Sequence, residues 1–123
     1  MKKLIVDLDG TITQANTSDY KNVLPRHDVI EKLREYKANG FEITIATARN
    51  MRTYGGNVGK INIFTLPIIT EWLNKHDVPY DEILVGKPWC GHDGFYIDDR
   101  SVRPSEFAKL SNKEISDLLE KEK

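Results

Sequence analysis

The stretch that decides the fold is residues 4–11, which read Leu-Ile-Val-Asp-Leu-Asp-Gly-Thr. Its first three residues form a short, continuous apolar run, which is typical of a strand buried on both faces of a parallel sheet. The run ends in Asp7 and Asp9, followed by Gly10 and Thr11. Because ligands bind beyond the carboxyl ends of the strands in open parallel sheets, these polar residues are candidates for a functional site.

Three further apolar runs of strand length follow along the chain. We predict strands at 41–47, 83–85 and 95–97, each ending in polar residues. The segments between the strands are long enough for helical crossovers, which parallel pairing requires. The sequence therefore predicts an α/β fold, a three-layer Rossmann-like sandwich built on a mainly parallel sheet.

The predicted crossovers carry recognisable helix signals. Asp28 and Glu31 have the spacing of a capping box, and Gly40 stands where a left-handed residue ends a helix. A second helix is predicted to begin near Thr65, with Pro67 in its first turn. We expect loops at 12–26 and at 48–64, the latter polar and rich in glycine, with a role as a partial lid or a subunit contact.

The chain length fits a single domain. Of its 123 residues, we assign 1–110 to the core and 111–123 to a C-terminal helix that packs on or extends from the same domain. This last helix is predicted from a capping box at Ser111 and Glu114.

Composition excludes several classes of protein. Lys and Arg number 18 and Asp and Glu 19, so the net charge of −1 gives no reason to expect binding to nucleic acid or to an anionic membrane. A single cysteine, Cys90, cannot form an internal disulfide. The apolar runs are too short for a membrane span or a signal peptide. We therefore expect a cytoplasmic protein.

In a parallel sheet, the polar groups that end the four predicted strands converge on one edge. They are Asp7 and Asp9, then Thr47 and Arg49, then Lys87, and finally Asp98 and Asp99. Several carboxylates around a lysine suit a hard cation with oxygen ligands. Mg²⁺ usually takes one or two carboxylates, which leaves others for covalent attack and for acid–base work.

The run of residues 7–11 resembles the first motif of the haloacid dehalogenase-like superfamily of phosphohydrolases. Thr47, Lys87 and the pair Asp98 and Asp99 match its second, third and fourth motifs in the same order. The resemblance extends over residues 3–107. The segments 50–54, 85–91 and 95–100 are also similar to a small subfamily of phosphatases associated with bacterial capsular polysaccharide biosynthesis.

The resemblance implies a role for each matching residue. Asp7 would attack phosphorus to form an aspartyl-phosphate, and Asp9 would protonate the leaving alcohol and then activate water. Thr47 would bind a phosphoryl oxygen, and Lys87 would neutralise the developing charge. The implied Mg²⁺ ligands are Asp7, Asp9, Asp98 and Asp99, and the predicted substrate contacts are Gly10, Thr11, Ala48 and Arg49.

Larger members of the superfamily insert a cap domain between their motifs. Thr47 follows Asp7 by 40 residues, and Lys87 follows Thr47 by the same interval, which leaves no room for a folded cap. A capless relative commonly accepts a large substrate or closes its site with another subunit, so a homo-oligomer is a further expectation. The implied substrate is a small phosphorylated molecule, most simply a sugar phosphate.

Two alternative functions stay open from the sequence. One is a nucleotide or nucleic-acid 3′-end phosphatase, which the absence of a basic, aromatic-rich stripe disfavours. The other is a catalytically silent binding module on the same fold, and a transfer of the phosphoryl group to an acceptor other than water is also open. For Arg49, binding of a substrate phosphate or sugar and pairing with a surface acid are equally supported.

Overall fold

The computed structural model describes residues 2–15 and 18–123; Met1, and Asn16 and Thr17 of the predicted loop at 12–26, lie outside the described residues. The chain divides into two compact units, Met1–Trp89 and Cys90–Lys123, and the predicted boundary near residue 110 does not coincide with this division. The elements in chain order are β1 (Lys3–Val6), α1 (His27–Ala38), β2 (Glu42–Thr47), α2 (Val58–Phe64), α3 (Leu66–Lys75), β3 (Glu82–Val85), α4 (Pro104–Lys109) and α5 (Asn112–Glu120).

The sheet lies in the first unit and is parallel, with the strands in the order β1-β2-β3. Val6 of β1 stands beside Ile45 of β2, and Thr47 of β2 stands beside Val85 of β3. The parallel α/β architecture predicted from the sequence is thereby confirmed. The prediction of a fourth strand at 95–97 is wrong for this structure, because those residues have no strand conformation.

The core of the first unit lies on one face of the sheet. Both crossovers advance in the same direction, and right-handed connections therefore place α1 and the α2–α3 pair on the same side. The central strand presents Ile43 and Ile45 to that side, and both are completely buried. The opposite side carries Ile5, which is 69% exposed, and Leu84, which is 52% exposed. We call this side the open face.

The helix α1 begins one residue before the predicted capping box. Its N-cap is Arg26, whose side chain makes no capping hydrogen bond, so the predicted box at residues 28 and 31 is wrong. The entry to the helix is fixed instead by the preceding flap, where the Arg26 N–H donates to the Ile12 carbonyl at 2.8 Å. At the other end Gly40 has a φ of +91°, which confirms the predicted left-handed position.

The predicted loop at 48–64 contains a helix over its second half. Asn57 caps α2, because its side chain accepts a hydrogen bond from the Lys60 N–H at 3.1 Å. Ile61 is fully buried and anchors this short helix. Gly55 and Gly56 lie in the turns before residue 57, whereas Gly59 lies within α2. The prediction that α3 begins near Thr65 with proline in its first turn is confirmed.

The second unit contains α4 and α5. Ser111 caps α5 as predicted: its side chain accepts from the Glu114 N–H, and the Glu114 carboxylate accepts from the Ser111 N–H. Ile115 is the buried residue of this helix. Across residues 2–15 and 18–123, no helix is both long and apolar enough to span a membrane.

Candidate active site at the carboxyl ends of the strands

A tight turn follows β1 and directs its two aspartates. The carbonyl of Leu8 accepts hydrogen bonds from the N–H groups of Thr11, Ile12 and Thr13, at 2.9 to 3.2 Å. Gly10 has a φ of +80°, a conformation that L-residues with a side chain adopt at a cost of about 1–2 kcal/mol. The glycine of the motif is therefore required by the backbone geometry of the turn.

Asp7 stands directly at the end of β1 and contacts groups of two types. One carboxylate oxygen, Oδ2, accepts from the Thr11 hydroxyl at 3.2 Å. The other, Oδ1, lies 3.5 Å from Nζ of Lys87. Lys87 is the residue that follows the turn after β3. Burial raises the pKa of Asp7 above its usual value, and the Lys87 charge and the Leu8 and Thr11 hydrogen bonds oppose that rise.

The end of β2 links these groups through the backbone. Thr47 is 1% exposed, and its hydroxyl accepts from the Arg49 N–H at 3.1 Å. The Thr47 carbonyl accepts from the Lys87 N–H at 3.2 Å, which ties the turn after β3 to the end of β2. The burial of Thr47 means that its hydroxyl supports the turn in this structure. Its expected contact with a phosphoryl oxygen stays a prediction.

Asp9 and Arg49 form a bidentate pair. Arg49 Nε donates to one carboxylate oxygen at 3.0 Å and Nη2 to the other at 2.7 Å. The Arg49 side chain is only 1% exposed, whereas the Asp9 side chain is 37% exposed. The guanidinium also lies 4.2 Å from the ring centre of Tyr20, a cation–π contact. Its Nη1 is buried and has no hydrogen-bond partner among residues 2–15 and 18–123.

This pairing bears on the two alternatives for Arg49. The residue pairs with an acid, but that acid lies at the end of β1 and the arginine side chain is buried, so the pair is not a surface ion pair. The expected contact of Arg49 with a substrate phosphate or sugar stays a prediction. Tyr20 is the residue that the sequence analysis missed. It comes from the flap between β1 and α1, and no motif or spacing in the sequence signals its contact with Arg49.

The turn after β3 brings Lys87 to the site through a close backbone approach. Gly86 has a φ of +86°, and a side-chain β-carbon there would lie 3.0 Å from Val58 Cγ2. A larger residue would push against α2 and strain the backbone as well. The glycine therefore allows the chain to turn immediately after the strand and to present the lysine to Asp7.

The predicted site residues are distributed over both compact units. The first unit contains Asp7, Asp9, Gly10, Thr11, Thr47, Ala48, Arg49 and Lys87. Within it, the structure links Asp7 with Thr11 and Lys87, and Asp9 with Arg49. Ala48, which lies between Thr47 and Arg49 in the chain, is partly exposed.

The remaining predicted metal ligands, Asp98 and Asp99, belong to the second unit and are exposed. Asp98 Oδ1 accepts from the Arg100 N–H at 2.8 Å, and the Asp98 carbonyl accepts from the Ser101 hydroxyl at 3.1 Å. These local contacts form a turn after the apolar residues 95–97.

The residues of the first unit fit a hard cation in part. Asp7 offers a carboxylate that is 36% exposed, and Mg²⁺ typically needs one or two such groups together with water and phosphate oxygens. Asp9 is less available, because both of its side-chain oxygens accept from Arg49. Among the residues that the structure describes, no group of three or more His, Cys, Asp or Glu side chains is arranged to hold a metal ion.

Comparison with known proteins identifies the family. The model of the haloacid dehalogenase-like hydrolases matches residues 4–74, more than half of the chain, and the chain belongs to this family. The matched range contains Asp7, Asp9, Thr47 and Arg49, whereas Lys87 and Asp98 lie beyond it.

The chain is also similar to a crystallised MCSG target from Vibrio cholerae. The two sequences are 82% identical, each chain is covered completely, and the TM-score is 0.98. No curated protein matches the chain.

Proposed function

We propose that the protein is a Mg²⁺-dependent phosphatase that hydrolyses a phosphomonoester through an aspartyl-phosphate. The observation that carries this proposal is the environment of Asp7. Its carboxylate stands at the carboxyl end of β1, with Lys87 Nζ 3.5 Å from one oxygen and the Thr11 hydroxyl on the other. A carboxylate oriented by a hydroxyl and a cation at the ligand-binding edge of a parallel sheet suits nucleophilic attack on an electrophilic phosphorus.

In the first step an oxygen of Asp7 would bond to phosphorus while the bond from phosphorus to the ester oxygen breaks. Lys87 would offset the negative charge of the carboxylate and the phosphoryl group as they approach. Such positioning and electrostatic stabilisation dominate the catalysis of phosphoryl transfer. In the second step a water oxygen would attack the same phosphorus, which releases phosphate and restores the Asp7 carboxylate.

Asp9 would serve as the acid and then as the base. The leaving oxygen needs a proton in the first step, and the attacking water loses one in the second; such transfers contribute about 10²–10⁴-fold in rate. Arg49 fixes the direction of the Asp9 carboxylate through two hydrogen bonds. One of those bonds must lengthen when the carboxyl group reaches a substrate oxygen, and Arg49 therefore acts as a positioning residue in this scheme.

The Mg²⁺ ligands in the proposal are the Asp7 carboxylate, the Asp9 main-chain carbonyl and Asp98, with Asp99 acting through water. When bound, the ion would offset the charge that opposes the approach of a carboxylate to a phosphate. Gly10, Thr11 and Ala48 remain the proposed neighbours of the substrate phosphate.

The proposed substrate is a small phosphorylated carbohydrate, and the proposed enzyme has no cap domain. Support for the substrate comes from the similarity of segments 50–54 and 85–91 to phosphatases of capsular polysaccharide biosynthesis. The net charge of −1 also gives no electrostatic attraction for a polyanionic nucleic acid. A nucleotide or nucleic-acid 3′ end is the competing substrate class.

The test is release of inorganic phosphate from a panel of sugar phosphates, nucleotides and a 3′-phosphorylated oligonucleotide, with Mg²⁺ and with EDTA. We expect turnover of sugar phosphates that requires Mg²⁺. Asp7→Asn should abolish it, while Asp117→Asn, a matched change at an exposed position of α5, should leave it unchanged. Full activity of Asp7→Asn, or no turnover of any phosphomonoester by the wild-type chain, would contradict the proposal.

A further inference from the structure

The flap, which comprises residues 12–26 between β1 and α1, is fixed to the first unit at two places. At its base, Thr13 and Pro25 form an antiparallel bridge. Its return arm is held by α3, because the indole N–H of Trp72 donates to the Val23 carbonyl at 2.9 Å. Both contacts anchor the flap to the core of the first unit.

A turn over residues 19–22 carries Tyr20 on this return arm. The Asn22 N–H donates to the Asp19 carbonyl at 3.3 Å, and the Asn22 side-chain amide donates to the Asp19 carboxylate at 3.0 Å. The turn directly precedes Val23, which α3 holds. The main chain at Tyr20 is thus fixed by the turn and by the anchor that follows it.

The ring of Tyr20 lies against the guanidinium of Arg49. The guanidinium carbon is 4.2 Å from the ring centre, well within the roughly 6 Å over which an aromatic face attracts a cation. The Arg49 side chain is 1% exposed, whereas Tyr20 is partly exposed. The tyrosine ring is therefore one of the groups that keep water from the guanidinium.

The hydrogen bonds of the Arg49 guanidinium all go to Asp9. Nε and Nη2 donate to the two carboxylate oxygens, while the buried Nη1 has no hydrogen-bond partner in the described residues. A bidentate charged pair fixes orientation, and it is stronger where water is excluded. Without the tyrosine ring, water would compete with Asp9 for the arginine donors. The orientation of the Asp9 carboxylate therefore depends on Tyr20 as well as on Arg49.

We propose that Tyr20 is a positioning residue for the acid–base step of the reaction. It holds the Arg49 guanidinium against Asp9 and so keeps the Asp9 carboxyl group in one orientation for proton transfer. The inference rests on the proposed phosphatase function, in which Asp9 is the acid and then the base. It extends that function to a flap residue that lies outside the sequence motifs.

This role predicts that the effect of losing Tyr20 depends on the leaving group. As the Asp7 oxygen bonds to phosphorus, the bond from phosphorus to the ester oxygen breaks, and that oxygen keeps the electron pair and takes the proton of Asp9. A weakly basic oxygen, such as that of p-nitrophenol, leaves without a well-placed proton, whereas the oxygen of a sugar hydroxyl does not. A loosened Asp9 should therefore slow the sugar esters most.

The first experiment measures kcat/KM, which includes this first step, for wild type, Tyr20→Leu and Tyr20→Phe. The substrates are p-nitrophenyl phosphate, phenyl phosphate and the sugar phosphates of the panel, whose leaving oxygens become more basic in that order. Tyr80→Leu is the matched control, because the Tyr80 hydroxyl donates to Asn74 Oδ1 at 2.9 Å and not to a residue of the site.

We expect Tyr20→Leu to lose about 10-fold in kcat/KM for sugar phosphates, which is part of the about 10²–10⁴-fold that acid–base transfer contributes. The loss should be smaller for phenyl phosphate and smallest for p-nitrophenyl phosphate. Tyr20→Phe keeps the ring and should retain the wild-type values, as should Tyr80→Leu. No loss, an equal loss for all esters, or a loss for Tyr20→Phe as large as that for Tyr20→Leu would overturn the role of Tyr20.

The second experiment tests the contact of the ring with Arg49 without any activity. Urea midpoints are measured for wild type, Tyr20→Leu, Arg49→Met and the double variant. We expect Tyr20→Leu to lower the midpoint clearly in the wild-type background and much less in the Arg49→Met background, where the cation is gone. Equal shifts in the two backgrounds would show that the ring packs independently of Arg49 and would overturn the inference.

The two experiments separate failure of this inference from failure of the proposed function. A wild-type chain that hydrolyses none of these esters but shows the coupled midpoints refutes the proposed function and leaves the contact of Tyr20 with Arg49 standing. An active enzyme with equal losses for all esters, or with uncoupled midpoints, retains the proposed function and loses the role of Tyr20.

Discussion

The pair of Asp9 and Arg49 predicts that two substitutions, Asp9→Asn and Arg49→Met, lower the free energy of unfolding by different amounts. The Arg49 side chain is 1% exposed and the Asp9 side chain 37% exposed, so removal of either partner leaves the other in a different environment. Asp9→Asn leaves a buried guanidinium without its carboxylate. Arg49→Met leaves a carboxylate that water can reach, and the methionine fills part of the space of the arginine stem.

The magnitudes follow from these environments. Removal of one partner of a fully buried pair costs about 3–5 kcal/mol, and the partial exposure of Asp9 reduces this to about 2–3 kcal/mol for Asp9→Asn. Arg49→Met loses two charge-assisted hydrogen bonds, but it also removes the buried Nη1, which has no partner in the part of the chain that the structure describes. An unsatisfied buried group costs about 1–3 kcal/mol, so the net loss for Arg49→Met should be about 1 kcal/mol.

The assay is equilibrium unfolding in urea of the wild-type chain, both single variants and the double variant, all at the same protein concentration. We expect Asp9→Asn to lose more free energy of unfolding than Arg49→Met. The double variant should be more stable than the sum of the single losses implies. A loss for Arg49→Met equal to or greater than that for Asp9→Asn would falsify the assignment of Arg49 as the desolvated partner.

Three further substitutions test other parts of the structure. Trp72→Phe removes the buried hydrogen bond from the indole N–H to the Val23 carbonyl at 2.9 Å and should cost about 1–3 kcal/mol in urea unfolding; an unchanged midpoint would contradict that bond. Hydrogen bonds from the Lys37 ammonium and the Ile43 N–H lower the pKa of Asp81, so its contribution is present above the unfolded pKa and is lost as the pH falls through the lower folded value. The stability difference between wild type and Asp81→Asn should therefore be larger at pH 7 than below about pH 4, and a difference independent of pH would refute this. Ser111→Ala removes the cap of α5 and should lower stability by about 1 kcal/mol, measured against Ser105→Ala in α4 as a control without a cap.

The predictions from local sequence succeeded where one segment contains its own signal. The three short strands were found because short, mainly apolar segments between turn residues are typical of buried strands in an α/β chain. The C-terminal end of α1 and the start of α5 followed from Gly40 and Ser111, whose effects on the backbone act over a single turn.

The predictions failed where the conformation of a segment depends on its contacts with another part of the chain. The box at residues 28 and 31 did not form because the flap fixes the entry to α1 at Arg26. The apolar residues 95–97 have a strand sequence, but a strand exists only where another strand accepts its hydrogen bonds. Helix α2 was missed because two glycines before it and Gly59 within it obscured a short apolar face that is anchored by Ile61.

The sequence by itself determined the parallel α/β fold, the family and the candidate residues at the strand ends, since these follow from periodicity and from a motif of adjacent residues. Only the tertiary structure decided which of those residues meet. It placed Lys87 against Asp7 and buried Arg49 against Asp9, and it left the outer edge of β1 without a strand partner among the described residues. Such contacts join residues far apart in the chain, and their energies depend on burial and orientation, which spacing along a sequence does not encode.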